Sequence, residues 1–212
     1  MIKKLILLMA LCALLLSCGT SAPQTPPESV SVYSTFAATP WLSDLYACAD
    51  SFAVITRVDD PSTADLLLRV GEPELLSSFA YQIDEEEILI AVHRQSPIQT
   101  LTLEETQTLF AGVGDPSVQV WVYASVEDVQ RVFDQLVMKG RSVASSAKIA
   151  ISPSHMSDVL SREIQAVGIL PRRWMIENVR EVYAVGVAPV LAITPDKPED
   201  VIARLIGCLQ SK

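Results

Sequence analysis

Four cysteines and two histidines are the residues of this 212-residue chain best suited to attack a carbonyl, hold a metal or cross-link the chain. Cys12 and Cys18 lie close to the start, Cys48 and Cys208 near opposite ends of the remaining chain, and His93 and His155 stand far apart in sequence. A nucleophilic cysteine needs a histidine to activate it, and a zinc site needs ligands at short, regular spacings. Neither pattern is present, nor is a Gly-x-Ser-x-Gly elbow, so no enzyme, cofactor or metal is expected. In an oxidising compartment Cys48 and Cys208 would form a disulfide tying the first helix to the last, provided their Cα atoms come within about 7 Å. The other reading is two small buried residues; the bridge is the one adopted.

The compartment is set by the first residues. Lys3 and Lys4 precede an unbroken apolar run from Leu5 to Leu16, too short for the roughly 20 residues a membrane span needs but suited to a secretory signal. It ends in Leu15-Leu16-Ser17-Cys18-Gly19, which resembles the bacterial lipobox, in which the cysteine after the cut is acylated. Residues 1–17 are therefore expected to be a signal peptide, Cys18 the lipidated N-terminus, and residues 18–28, with three prolines, an extended tether. The folded body would be exported and held at the outer face of the cell membrane by several acyl chains. Loss of residues 1–17 removes Lys3 and Lys4 and no acid, so the formal charge of −9 becomes −11. Such a surface, without clustered Lys and Arg, argues against nucleic acid. What remains is long enough for one domain or two small lobes, expected to be monomeric.

Strand and helix patterns alternate along the body. Ser29–Tyr33 alternates like a strand, and a helix from Trp41 is predicted with Thr39 as N-cap and Pro40 as its first residue. Its face of Trp41, Leu45, Cys48 and Phe52 points Cys48 inward. Val54–Val58 and Ala64–Val70 read as strands, the second apolar enough to be buried on both faces. Ile88–His93 is another, before a helix over Leu103–Phe110 capped by Thr102. Val118–Val122 is followed by an amphipathic helix starting near Ser125. Lys148–Ile151 and Val167–Leu170 flank a short helix at Met156–Ile164. Strands at Val182–Val187 and Val190–Thr194 precede a closing helix over 198–210. The alternation predicts an α/β fold with mainly parallel sheet covered by helices on both sides.

Three stretches carry a resemblance across nearly the whole mature chain. They are Ile88–Ile98 with Leu101–Gly112, ending Phe110-Ala111-Gly112; Val167-Gly168-Ile169-Leu170-Pro171; and Val187–Thr194 with the helix Glu199–Gln210. Together they resemble the type 2 periplasmic binding proteins, most of all the phosphate-binding components of ABC transporters. The resemblance implies two α/β lobes of mixed, mainly parallel sheet flanked by helices, with two crossing strands as a hinge. Lobe one would hold residues 29–92 and 182–212, lobe two residues 93–181, with a solute in the cleft between.

Helix N-termini and hydroxyls can hold an anion in such a cleft. The resemblance places Ser34, Thr35 and Thr39 on the lobe-one side and Ser125 on the lobe-two side. The phosphate binders carry an upstream Arg and a Ser-Gly-Thr turn there; this chain has Tyr123-Ala124-Ser125-Val126-Glu127-Asp128, with no Gly, no Arg and two acids that oppose a dianion. Read without the resemblance, Ser125 and Thr39 are N-caps, Asp128 is an acid placed near a helix dipole, and Ser34 and Thr35 are turn residues. Tyr33, Phe36, Trp41 and Trp121 read as core, Arg172-Arg173 as solvated surface, His93 as a hinge hydrogen-bonding group and His155 as a loop residue. The expected function is solute-binding lipoprotein of an ABC-type transporter, its partners a small solute such as phosphate or another oxyanion and a membrane permease. The alternative is an interaction or sensor lipoprotein that has lost solute binding.

Overall fold

The computed structural model describes residues 27–75 and 78–212. The expected signal peptide, Cys18 and all but the last two residues of the tether lie outside them. Eight strands form one sheet in the order β2-β1-β3-β8-β4-β7-β5-β6. β1 (Glu28–Ser34) turns Val30 and Val32 into the core and runs parallel to β2 (Ala53–Arg57) and β3 (Leu66–Val70). At the other end β5 (Gln119–Val122) runs parallel to β6 (Lys148–Ile149) and β7 (Ala166–Pro171). Between these halves lie two long antiparallel strands, β4 (Phe79–His93) and β8 (Val179–Thr194), paired along their whole length. β8 joins β3 through Val190–Ile193, and β4 joins β7 through Ile88–Val92. Parallel pairing in each half and antiparallel pairing in the middle make the sheet mixed, flanked by helices.

β8 is one strand rather than the expected two. Pro189, which lies in the gap between the two expected strands, stays in it opposite Glu85, next to the irregularity at Gln82–Asp84, where a missing ladder donor is tolerated. β3 is fully buried on one face only, with Leu67 and Arg69 half-buried on the other. β6 keeps just two residues of the longer strand expected.

Helix α1 (Trp41–Ala49) buries Trp41, Leu42, Leu45, Cys48 and Ala49, but Thr39 does not cap it. The turn before it winds straight into the helix, Trp41 N donating to Ala38 O (3.1 Å), so Pro40 is already helical. Phe36, expected in the core, is 56 % exposed, because it sits at the tip of that turn. Helix α2 (Leu103–Phe110) is capped by Thr102 as expected, and Glu105 completes a capping box with it. Helix α3 (Asp128–Phe133) begins three residues later than expected. Residues 124–127 form a turn closed by Glu127 N donating to Ala124 O (2.9 Å), which leaves Ser125 exposed and not a cap. Helix α4 (Pro153–Arg162) is capped by Ser152 and contains His155, not a loop residue, stacked edge-on against Trp121. Helix α5 (Asp200–Leu209) lies against α1, joined to it by the Cys48–Cys208 disulfide across 160 residues.

Candidate functional site

The carboxyl ends of β1 and β3 lie side by side and face the start of α3 from the opposite half of the sheet. Thr35 N donates to Leu68 O (3.0 Å), which fixes the turn after β1 against β3. The Thr35 hydroxyl then accepts from Ala38 N (3.4 Å) and donates to Asp128 Oδ2 (2.6 Å). The same oxygen accepts from Val70 N (3.0 Å), while Asp128 Oδ1 accepts from Val129 N (2.8 Å). Three donors, two from beyond α3, thus converge on a carboxylate that is 3 % exposed. Gly71 follows at a positive φ of 76°, and a Cβ there would come within 2.7 Å of Val132 Cγ2. Only glycine lets β3 and α3 approach this closely.

Of the residues expected to bind a solute, Ser34, Thr35 and Thr39 are gathered at one turn. Ser34 Oγ (3.0 Å) and Thr39 Oγ1 (3.3 Å) both donate to Thr35 O. Ser125 is not gathered with them: it offers its carbonyl to Arg131 Nε at 3.5 Å. The residue of this segment that meets Thr35 is Asp128. Its acid and helix-start position were visible in the sequence, but its partner lies 93 residues away, and no local pattern announces that pairing.

Charge of both signs surrounds the contact. Burial raises the Tyr33 phenol, and Glu127 and Asp128 raise it further. Burial and then Asp128 raise the Glu127 carboxyl above the ordinary range. The half-buried Arg69 guanidinium is lowered by burial, supported by Asp128 and opposed by Arg131.

A second contact also joins the halves. Arg173 is exposed, as expected, but its guanidinium lies over the Trp41 ring at 4.3 Å and pairs with Asp84 (2.6 Å) and Glu86 (3.6 Å) of β4. Trp41 Nε1 also donates to Asp84 (2.9 Å), and Trp174 Nε1 to Ala37 O (3.4 Å). Burial alone would raise Asp84, but these bonds outweigh it and hold its pKa low; Glu86, 2 % exposed, is raised by burial. Arg172 pairs with Glu87 and with Glu181 (2.6 Å). The basic pair therefore anchors the turn after β7 to the long strands. His93 Nδ1 accepts from Gln95 N (3.0 Å) at the end of β4. A cavity of about 680 Å³ lies elsewhere, along α2 between Ile98, Leu101, Leu109 and Val118. Among the described residues no cluster of three or more His, Cys, Asp or Glu could hold a metal ion, and no helix is long and apolar enough to cross a membrane.

No protein-family model matches the sequence, and no curated protein does. Solved structures do match the fold. One from Clostridium perfringens is described as a phosphate ABC transporter substrate-binding protein with bound phosphate (TM-score 0.76, 13 % identity, 86 % of this chain and 93 % of that one). An ABC-type phosphate transport receptor from Vibrio cholerae aligns over the same shares at 13 % identity with a TM-score of 0.63. The reduced regulatory domain of OxyR2 from Vibrio vulnificus aligns at 8 % identity over 91 % of this chain and 99 % of its own, with a TM-score of 0.67. At these identities the likeness is one of fold: a mixed α/β sheet flanked by helices, as in the type 2 periplasmic binding proteins.

Proposed function

We propose that this chain is the extracytoplasmic solute-binding lipoprotein of an ABC-type importer, with a binding and not a catalytic role. On this reading it is held at the membrane by a lipid on Cys18, captures a small solute in the cleft and delivers it to a permease. The lobes proposed are residues 29–92 with 182–212, and 93–181. The observation that carries the reading is the convergence of Thr35 Oγ1 and Val70 N from one half, and Val129 N from the other, on a single carboxylate. Donors so placed suit a small anion, and strand ends facing a helix across a cleft are where open α/β folds bind ligands. The phosphate bound in the Clostridium perfringens structure of this fold supports a solute of that size. The acids Glu127 and Asp128 favour a singly charged one over the phosphate dianion.

The test is thermal unfolding of the full chain in detergent against phosphate, sulfate, acetate, amino acids and sugars at millimolar concentration. A ligand at a hundred times its Kd stabilises by about 2.7 kcal/mol. A shift with one compound that Thr35→Ala abolishes is the expected result. The anchoring part is checked by fractionation, Cys18→Ala moving the protein from membrane to soluble fraction. One observation favours the second reading, an interaction or sensor lipoprotein without a solute: every donor at the contact already has Asp128 as partner. No shift with any compound would decide for it.

A further inference from the structure

We propose that Asp128 is the resident occupant of the cleft: its carboxylate stands where a solute's carboxylate binds, holds the lobes shut without solute and makes the site selective for small monocarboxylates. The site is that of the solute-binding reading, on which this inference rests; the occupant, the resting state and the ligand class are added to it.

The two oxygens of Asp128 are held as a bound carboxylate would be, one by Thr35 Oγ1 and Val70 N and the other by Val129 N. Because Thr35 and Val70 belong to the opposite half of the sheet, these bonds bridge the cleft directly and their donors are already taken. The side chain is buried, and Gly71 lets Val132 close in behind it. A solute can therefore enter only by exchanging places with this group. A planar monoanion reproduces the three bonds already made. Phosphate would bring an additional negative charge beside Glu127, itself half-buried. Arg69 and Arg131 flank the site and neither is in an ion pair among the described residues, so a carboxylate swung out of the cleft has a cation to meet.

A tethered group competes at an effective concentration of about millimolar or more. For a carboxylate whose Kd for the vacated site is about 0.1 mM or tighter, the wild type then binds at least about tenfold more weakly than a chain lacking Asp128. The experiment compares wild-type, Asp128→Ala and Asp128→Ser full chains in detergent at pH 7, melted in sodium acetate, sodium chloride or sodium phosphate of equal ionic strength. Both variants should melt several degrees below the wild type. Acetate should restore at least half of the loss in a saturable way, chloride and phosphate should not, and half-saturation by acetate should be at least tenfold lower in the variants than in the wild type. Asp128→Ser keeps a small polar group in place of the carboxylate and carries the test if the alanine variant does not fold. If neither folds, recovery on refolding in acetate over chloride becomes the readout, and equal recovery overturns the proposal. Acetate acting no better than chloride, or phosphate restoring as much as acetate, overturns it too. A wild type that answers to no compound while acetate rescues the variants sinks the importer reading and leaves the resident carboxylate standing. A wild-type ligand without acetate rescue does the reverse.

Discussion

A threonine hydroxyl 2.6 Å from a carboxylate that is 3 % exposed is a contact whose loss leaves a charge buried with one donor fewer. Removing a hydrogen bond to a charged group costs about 1.5–3 kcal/mol. Thr35→Val, which keeps the shape, is expected to lower stability in urea by that amount, and Thr35→Ser, which keeps the donor, by under about 1 kcal/mol. Equal stability of the valine variant and the wild type would mean that Val70 N and Val129 N suffice for Asp128. Thr35 was legible as a candidate only through resemblance, and its partner was not legible at all. Asp128 reads as an ordinary acid at a helix start, because sequence shows what a residue can bond but not what a turn 93 residues earlier brings to it. Arg173 illustrates the same limit. An adjacent basic pair is most often solvated, and only the fold puts Trp41 and Asp84 beneath it.

The helix over Leu103–Phe110 with its Thr102 cap and the apolar run of β7 were legible because their signals are local, whereas Thr39 and Ser125, equally good caps by residue type, cap nothing. The long central strands were read at half length. Phe79–Glu87 has an incomplete inward pattern, with Ile83 and Glu86 buried but Gln82, Glu85 and Glu87 polar, so neither periodicity nor apolarity flags it until it lies beside β8. The turn at residues 124–127 hid the true start of α3 for the same reason: its defining bond, Glu127 N to Ala124 O, leaves no signature in residue type. At the ends of the chain, α1 and α5 are joined by Cys48–Cys208, whose 160-residue separation makes the loop it closes a long one. Replacing both cysteines by serine is expected to cost about 2–5 kcal/mol. Because α5 packs mainly on α1 and β4, hydrogen exchange should rise first over residues 200–209. Uniform loss of protection would instead place the bridge in the global unfolding unit.

On the scale of the molecule, two contacts join the same two halves: Asp128 with Thr35 and Val70, and Arg173 with Trp41 and Asp84. The closed arrangement they hold was expected only as a generic cleft. These contacts depend on residues scattered from Thr35 to Arg173, which no single stretch of sequence joins. If the halves move as bodies about β4 and β8, the contacts break in one event and their energies cannot be independent. Residues that share one two-position element couple, whereas distant independent sites add to within about 0.3–0.5 kcal/mol. Thr35→Val and Arg173→Ala should each leave the molecule compact, with a radius of gyration near the value of about 17 Å for a folded chain of this size, because the remaining contact keeps the halves together. The double variant should open, its radius rising in small-angle scattering and its urea stability departing from the sum of the singles. Additive stabilities with an unchanged radius would mean that the continuous sheet through β4 and β8 is stiff enough to hold the halves by itself, and a solute would then have to enter by local displacement of Asp128 without opening of the lobes.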